Sequence, residues 1–366
     1  MSSSFDVPPV QQQRVTIHGI GVIEDTTAII PLRTCFIPGQ GLLEVGKNGV
    51  TALARNRGDE FVFISRGDQT EVMLCSKMDL NPPRFALVPV TIQAPLRAVL
   101  FDLDGTCIKS EPLWIAVILQ VTNEMRQSEN LPPLDSFQPD DLPHVSGRTV
   151  PEHLAYCQTT FFPHETTDAA REIYDRITKS DAEMEAIAAA LRNRGKSSYE
   201  PALGLKELLL KLQERDVKIG MVTSGLYYKA WPEIVEAFRA MNLGDPLQFL
   251  DGFITAGQRV EKGRSGTMGD TIAKPWPNIY YEVARALGFR SEISSQFVVV
   301  GDSASDVGSA RTMGVAVIGV EGGNIDEAGV RQMCFATAKD LHEVGKILEP
   351  YLPPVRSSVF GRGETR

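Results

Sequence analysis

The sequence predicts an α/β fold: a doubly wound parallel sheet with an inserted α-helical unit, preceded by a small β-rich unit. Three observations lead there. Four nearly unbroken apolar runs, Arg97 to Asp102, Val217 to Thr223, Gln296 to Gly301 and Val315 to Val320, read as strands buried on both faces. Between them lie segments whose apolar residues recur at three and four, such as Leu205 to Arg215 and Asn278 to Leu287, as crossover helices would. From Cys107 to Tyr199 strand signals are scarce, and Pro112 to Arg126, Thr167 to Thr178 and Asp181 to Arg194 carry helical periodicity instead.

Taken from the amino terminus, residues 1–96 hold short apolar runs broken by turn residues, at Arg14 to Ile20, Glu60 to Ser65, Glu71 to Cys75 and Arg84 to Ile92. EFVFIS and TEVMLC, separated by RGDQ, predict a hairpin. Arg-Gly-Asp occurs at 57–59 and again at 66–68, and turn chemistry accounts for both copies better than an adhesion signal. This unit could extend a cap, dimerise the chain or bind a partner. Residues 97–106 and 200–352 form the α/β core, and 107–199 form the insertion. Because the insertion starts directly after the first strand's loop, it is placed to cover the strand ends. Residues 353–366 read as a disordered tail.

A formal net charge of −9 argues against general affinity for nucleic acid, which needs clustered Lys and Arg. The five cysteines, Cys35, Cys75, Cys107, Cys157 and Cys334, are odd in number and never spaced C-x-x-C, so neither a disulfide framework nor a zinc site is indicated. No basic stretch precedes an apolar run at the start, and no apolar run reaches the roughly eighteen residues of a membrane span. A cytoplasmic chain with no membrane partner, monomeric or homodimeric, is expected.

The chemistry gathers at strand ends. The first core strand ends RAVLFDLDGT, which puts Asp102 and Asp104 at the carboxyl edge of the sheet, where open parallel sheets bind ligands. Gly105 allows a sharp turn there. Two adjacent carboxylates repel each other, and a divalent cation relieves that repulsion. The next strand ends MVTSG, with Thr223 and Ser224 able to hydrogen-bond an anion. Lys274 stands before a proline and a helix in KPWPNIYYEVARALG. GDSASD puts Asp302 at the end of a third strand and Asp306 at the opening of a helix, where capping is the alternative role.

FDLDGT, MVTSG, the Lys274 segment and GDSASD, in that order, resemble the motifs of the haloacid dehalogenase-like hydrolase superfamily, over roughly Arg97 to Ile347. The helical insertion after the first motif resembles the subgroup that includes phosphoglycolate phosphatases and β-phosphoglucomutases. The resemblance implies a Rossmann-like core and a Mg2+-dependent phosphatase acting on a small phosphorylated metabolite. It implies that Asp102 is the nucleophile, forming an aspartyl phosphate, and that Asp104 is the general acid and base. Mg2+ would be held by Asp102, the Asp104 backbone carbonyl and Asp302, with Asp306 behind them orienting a water or Lys274. Lys274, Thr223 and Ser224 would bind the phosphoryl group.

An acid at position 104 disfavours halide displacement, since the dehalogenases of that superfamily lack one. Trp114 stands near the place of the hinge histidine of β-phosphoglucomutases, which favours hydrolysis over the mutase reaction. A non-catalytic phosphate-binding or regulatory protein is the remaining alternative, and the full set of expected side chains speaks against it. In HVSGRTVPEHL, Arg148 is a candidate for reading the leaving portion of the substrate, while His153 reads as packed or exposed and Cys107 as packing. The stretch VEKGRSGTMGDTIAKP is longer than the usual approach to the lysine.

Overall fold

The computed structural model describes residues 15–23, 29–37, 41–56, 60–74, 82–145, 150–162, 169–194, 199–225, 227–256, 265–268, 274, 278–289, 294–323, 325 and 328–355. Among these, nine short strands come first: β1 (Val15–Ile17), β2 (Gly21–Ile23), β3 (Ile29–Leu32), β4 (Thr34–Ile37), β5 (Gly41–Glu44), β6 (Ala52–Asn56), β7 (Phe61–Arg66), β8 (Gln69–Leu74) and β9 (Arg84–Ala86). Strands β3, β6, β7, β8 and β9 make an antiparallel sheet in the order β3-β6-β7-β8-β9. The expected hairpin is β7 and β8, with Arg66 paired to Gln69, so the loop itself is Gly67 and Asp68 of the second Arg-Gly-Asp. The first copy lies outside the described residues.

This sheet is buried on both faces, because successive side chains of a strand point oppositely. Phe61 and Phe63 of β7 pack toward the rest of the molecule. Val62 and Ile64 face the other way, into a second apolar cluster with Ile37 and Leu43 from the β4–β5 ribbon.

Strand β10 (Ala98–Asp102) opens a seven-stranded, all-parallel sheet with β13 (Lys218–Thr223), β14 (Gly252–Ala256), β15 (Ser265–Met268), β16 (Phe297–Gly301), β17 (Ala316–Val320) and β18 (Ala336–Ala338). Between β10 and β13 run two short strands, β11 (Ile108–Lys109) and β12 (Glu200–Pro201), which pair antiparallel. The sheet order is β15-β14-β13-β10-β16-β17-β18. The chain therefore winds outward from β10 on one side, then returns to β10 and winds outward on the other. All five residues of β10 and of β16 are buried, as their apolar composition predicts. The sequence reading missed β14, β15 and β18. The last two, SGTM and ATA, lack any apolar run, and β15 lies within the long approach to Lys274.

The helices of the insertion are α1 (Glu111–Ser128), α2 (Leu142–Val145), α3 (Val150–Phe161), α4 (Ala169–Thr178) and α5 (Asp181–Asn193). They have an apolar centre of their own, including Val117, Val121, Phe137, Leu154 and Tyr174. Both faces of the central sheet carry helices, as the doubly wound expectation requires. On one face α6 (Leu205–Glu214), α7 (Tyr227–Ala240) and α11 (Leu341–Leu348) cover Val99 and Phe101. On the other, α8 (Asn278–Ala286), α9 (Ala304–Thr312) and α10 (Ala328–Arg331) cover Ala98 and Leu100, and the amino-terminal sheet packs into the same cluster. Among the described residues no helix is long and apolar enough to cross a membrane.

Candidate active site

The winding reverses at β10, so the carboxyl ends of β13, β10 and β16 form the crevice in which such sheets bind ligands. Register sets the geometry. Asp102 pairs with Val222 and Phe101 with Val300, which places Thr223 and Asp302 one residue beyond Asp102 on its two sides. The carboxylates of Asp102, Asp302 and Asp306 each bring an oxygen within 4.8 Å of the others. All three residues are buried.

Neutral and charged groups hold them there. Thr106 Oγ1 lies 3.1 Å from Asp102 Oδ2 and 3.2 Å from Asp302 Oδ1, so one hydroxyl proton serves both in turn. Lys274 Nζ donates to Asp102 Oδ1 and, at 2.7 Å, to Asp306 Oδ1. Asp306 also accepts from Tyr280 Oη at 3.0 Å, and its second oxygen accepts from Ser303 Oγ at 2.6 Å and Ser303 N at 3.2 Å. The last contact completes a capping box on α9, so Asp306 is a helix cap and a lysine partner at once. Both its oxygens are engaged by protein donors. Gly105, at φ +83°, turns the chain so tightly that a Cβ there would collide with Asp302 Oδ2, and a Cβ at Gly323 would do the same.

Three buried acids meet one lysine, and the electrostatics record the excess. Burial first, then Asp306, pushes the Asp102 carboxyl up to about 7 despite Lys274. Burial, then Asp102 and Asp306, lifts Asp302 well above the usual carboxylate range. Burial works to neutralise Lys274, but Asp102 and Asp306 together outweigh it and keep the ammonium charged. Hard oxygen donors in a glycine-walled cradle with surplus negative charge fit a divalent cation. The Cys107 thiol is buried beside Asp102 and Asp302 and is pushed up well above its ordinary value, so it stays protonated and packs.

Asp104 faces another set of partners. Its carboxylate accepts from Ser110 Oγ at 2.8 Å and from Thr223 Oγ1 at 3.0 Å. Thr223 Oγ1 in turn accepts from Gly225 N at 2.9 Å, so its one proton is committed to Asp104 instead of pointing to an anion. Ser224 Oγ accepts from Lys274 N at 3.1 Å, which fixes the base of that side chain. Trp114, in α1, donates its indole N–H to the buried Glu233 of α7 at 2.6 Å. His153 is buried within the insertion, and Arg148 lies outside the described residues.

Sequence reading did not single out Thr106, Ser110, Tyr280, Ser303 or Glu233. Ser303 was findable, because Ser-x-x-Asp before an apolar segment is a capping signature. Thr106 closes the FDLDGT motif itself. Tyr280 gave no signal, since an aromatic at helical spacing reads as core.

Known proteins were compared with the chain. The N-acetylmuramic acid 6-phosphate phosphatase of Pseudomonas aeruginosa is 25% identical over 232 residues, covering 63% of this chain and 84% of its own. A phosphoglycolate phosphatase of Pseudomonas savastanoi pv. phaseolicola is 26% identical over 230 residues, covering 62% of this chain and 70% of its own. Among solved structures, a putative β-phosphoglucomutase from Thermotoga maritima superposes with a TM-score of 0.46 at 21% identity, over 70% of this chain and all of that one. The signature described as haloacid dehalogenase-like hydrolase matches residues 96–314, more than half of the chain, and with the four motifs at one sheet edge this chain belongs to that family of hydrolases.

Proposed function

We propose that this protein is a Mg2+-dependent phosphatase that hydrolyses a small phosphorylated metabolite through an aspartyl phosphate on Asp102. The observation that carries the reading is the convergence of Lys274 and the Asp302 and Asp306 carboxylates on one buried carboxylate, Asp102, with a second acid, Asp104, held just beside it. The phosphatases among its relatives support the reaction class.

In this reading an Asp102 oxygen attacks phosphorus as the ester P–O bond breaks, and the leaving alkoxide takes a proton from Asp104. Asp104 then removes a proton from water, whose oxygen attacks the phosphorus of the aspartyl phosphate. The acyl phosphate P–O bond breaks, releasing phosphate and restoring Asp102. The hydroxyls of Ser110 and Thr223 aim Asp104 for both transfers. Lys274, pinned by Asp306, offsets negative charge at Asp102. Mg2+ held by Asp102, Asp302 and the Asp104 backbone carbonyl would offset the charge on the phosphoryl oxygens. The helices between β11 and β12 act as the cap that selects the substrate. Scattered free cysteines and the acidic charge suit a cytoplasmic enzyme.

The test is p-nitrophenyl phosphate turnover with and without Mg2+, followed by a panel of phosphorylated metabolites. Metal-dependent release of phosphate is expected. Absence of turnover with every divalent metal would transfer the reading to a phosphate-binding or regulatory protein. Conversion of a sugar 1-phosphate to its 6-phosphate, without free phosphate, would make the protein a mutase, a reaction that Trp114 in place of a hinge histidine disfavours.

A further inference from the structure

We infer that the amino-terminal β-sheet is a brace for helix α9, and that Gly308 is the positioning residue through which it sets Asp302 and Asp306. The functional readout of this inference rests on the phosphatase reading. Asp302 immediately precedes Ser303, the N-cap of the helix, and Asp306 completes the capping box, so a displacement of α9 as a body displaces both carboxylates together. What fixes the helix from behind therefore fixes that side of the site.

The back of α9 meets the amino-terminal sheet. A Cβ built at Gly308 would overlap Leu74 Cδ2 and stand 3.2 Å from Phe61 Cε1. Phe61 and Leu74 are directly opposite each other on β7 and β8, and both are essentially inaccessible to solvent. Both belong to the same buried apolar cluster, so either can yield only by displacing packed neighbours. Glycine inside a helix is unfavourable relative to alanine, so its presence here needs a packing reason, and the reason is this close approach. One turn on, the same helix is held again. Arg311 is buried, its guanidinium lies 5.5 Å from the centroid of the Phe85 ring, and it donates to the Val88 carbonyl. Gly329, in α10, makes a looser approach, a Cβ there standing 3.2 Å from Ile29 and 3.3 Å from Phe63.

The opposite face of the same sheet is occupied too, by the β4–β5 ribbon over Val62, Ile64 and Met73. The sheet's inner apolar face is thus spent on α9 and α10 and is not a surface for another protein. The segment after β9 runs on into the core, with Gln93 N donating to Ser295 O and Arg97 N to Gln296 O at the foot of β16. The segment that leaves the sheet is thus tied to the foot of the β16–α9 unit that carries Asp302, while the sheet itself packs on α9.

The experiment is a double-mutant cycle in the full chain, Gly308→Ala, Leu74→Ala and both together, with Val62→Ala as a control that loosens the outer face of the sheet. Two quantities are read: the half-saturating Mg2+ concentration for p-nitrophenyl phosphate hydrolysis, and the melting temperature with and without Mg2+. Circular dichroism at the assay temperature establishes that each variant is folded. Gly308→Ala is expected to raise half-saturating Mg2+ about tenfold, the scale of a lost supporting contact behind a metal ligand. At saturating Mg2+ its KM for the ester should stay near wild type. Adding Leu74→Ala should restore most of the loss, because the side chain in the way is gone. Val62→Ala should lower the melting temperature and leave half-saturating Mg2+ unchanged. A folded Gly308→Ala variant with wild-type Mg2+ dependence overturns the brace, as does an equal shift in Val62→Ala or strictly additive effects in the cycle. If the wild type turns over no ester, the phosphatase reading falls, and the brace is judged by the Mg2+-induced rise in melting temperature. That rise should be smaller in Gly308→Ala and recovered in the double variant; an undiminished rise overturns the brace.

Discussion

The two halves of the site are held by different chemistry. Around Asp102 the charged contacts are buried: Lys274 bridges Asp102 and Asp306, Asp302 stands in the same cluster, and the hydroxyls of Thr106, Tyr280 and Ser303 support the three acids. Asp104 accepts from two neutral hydroxyls, one from the end of β13 and one from Ser110, the residue that opens α1 of the insertion. The first half is fixed within the core and carries surplus negative charge. The second half takes one of its two supports from the inserted helices, so its aim depends on how they sit. Charge is thus set by the sheet, and proton transfer is tied to the insertion.

Four measurements test that division. The largest effect should come from Asp102→Asn, which removes the nucleophile and is expected to reduce kcat by at least about 10⁴-fold with the circular dichroism spectrum retained. Appreciable turnover in that variant would remove Asp102 from the role. Asp104→Asn should reduce kcat by about 10²–10⁴-fold, the worth of a positioned acid and base, while the Mg2+ concentration needed for half-saturation stays near wild type. A large rise in that concentration would show that the two halves are one. Ser110→Ala deletes one hydrogen bond to a carboxylate, worth about 1.5 kcal/mol at the low end for a charged partner, and should cost about tenfold in kcat/KM. An unchanged value would detach the insertion from Asp104.

The smallest effect is the pH dependence of stability without metal. Folding raises the Asp102 carboxyl to about 7 and Asp302 well above the usual range, so the folded protein holds protons that the unfolded chain releases. Groups shifted in this direction stabilise below their unfolded pKa, and that contribution fades as pH rises through the folded value. Melting temperature without metal should therefore drop between about pH 5 and pH 8. Mg2+ should raise it more at pH 8 than at pH 6, because the cation competes with the protons. A melting temperature that rises over this range without metal would mean that the acids are not desolvated together.

Much of this arrangement was legible before the structure. Buried parallel strands must be apolar throughout, so β10, β13, β16 and β17 stood out, and an acid or hydroxyl directly after such a run has only the sheet edge to occupy. Asp102 and Asp302 stood out that way, Asp306 at the opening of the next helix and Lys274 in its Pro-flanked helix start, and the structure gathers the four in one cluster. The direction of Thr223 was not legible, since the same hydroxyl can face an anion or a neighbouring carboxylate and only the packing decides. Edge strands β15 and β18 gave no pattern because SGTM and ATA are short and carry no apolar run. The alliance of the amino-terminal sheet with α9 was equally hidden. A glycine inside GDSASDVGSARTMG looks like any small helix residue until Leu74 is seen against it.

The ribbon formed by β11 and β12 has a consequence for how such a molecule diversifies. The chain leaves the core at Lys109 and comes back at Glu200, and these two residues are cross-strand partners. Entry and exit are therefore adjacent, and the segment between them is joined to the core by a two-rung ladder, with Ser110 and Trp114 adding side-chain hydrogen bonds to Asp104 and Glu233. Exchange of that whole segment for another, of whatever length, leaves the strand register at Asp102 and Asp302 untouched. The fold behaves as a socket: the carboxylates at the strand ends stay in place when the recognition module changes, and a new module has only to supply again the Ser110 hydroxyl that supports Asp104.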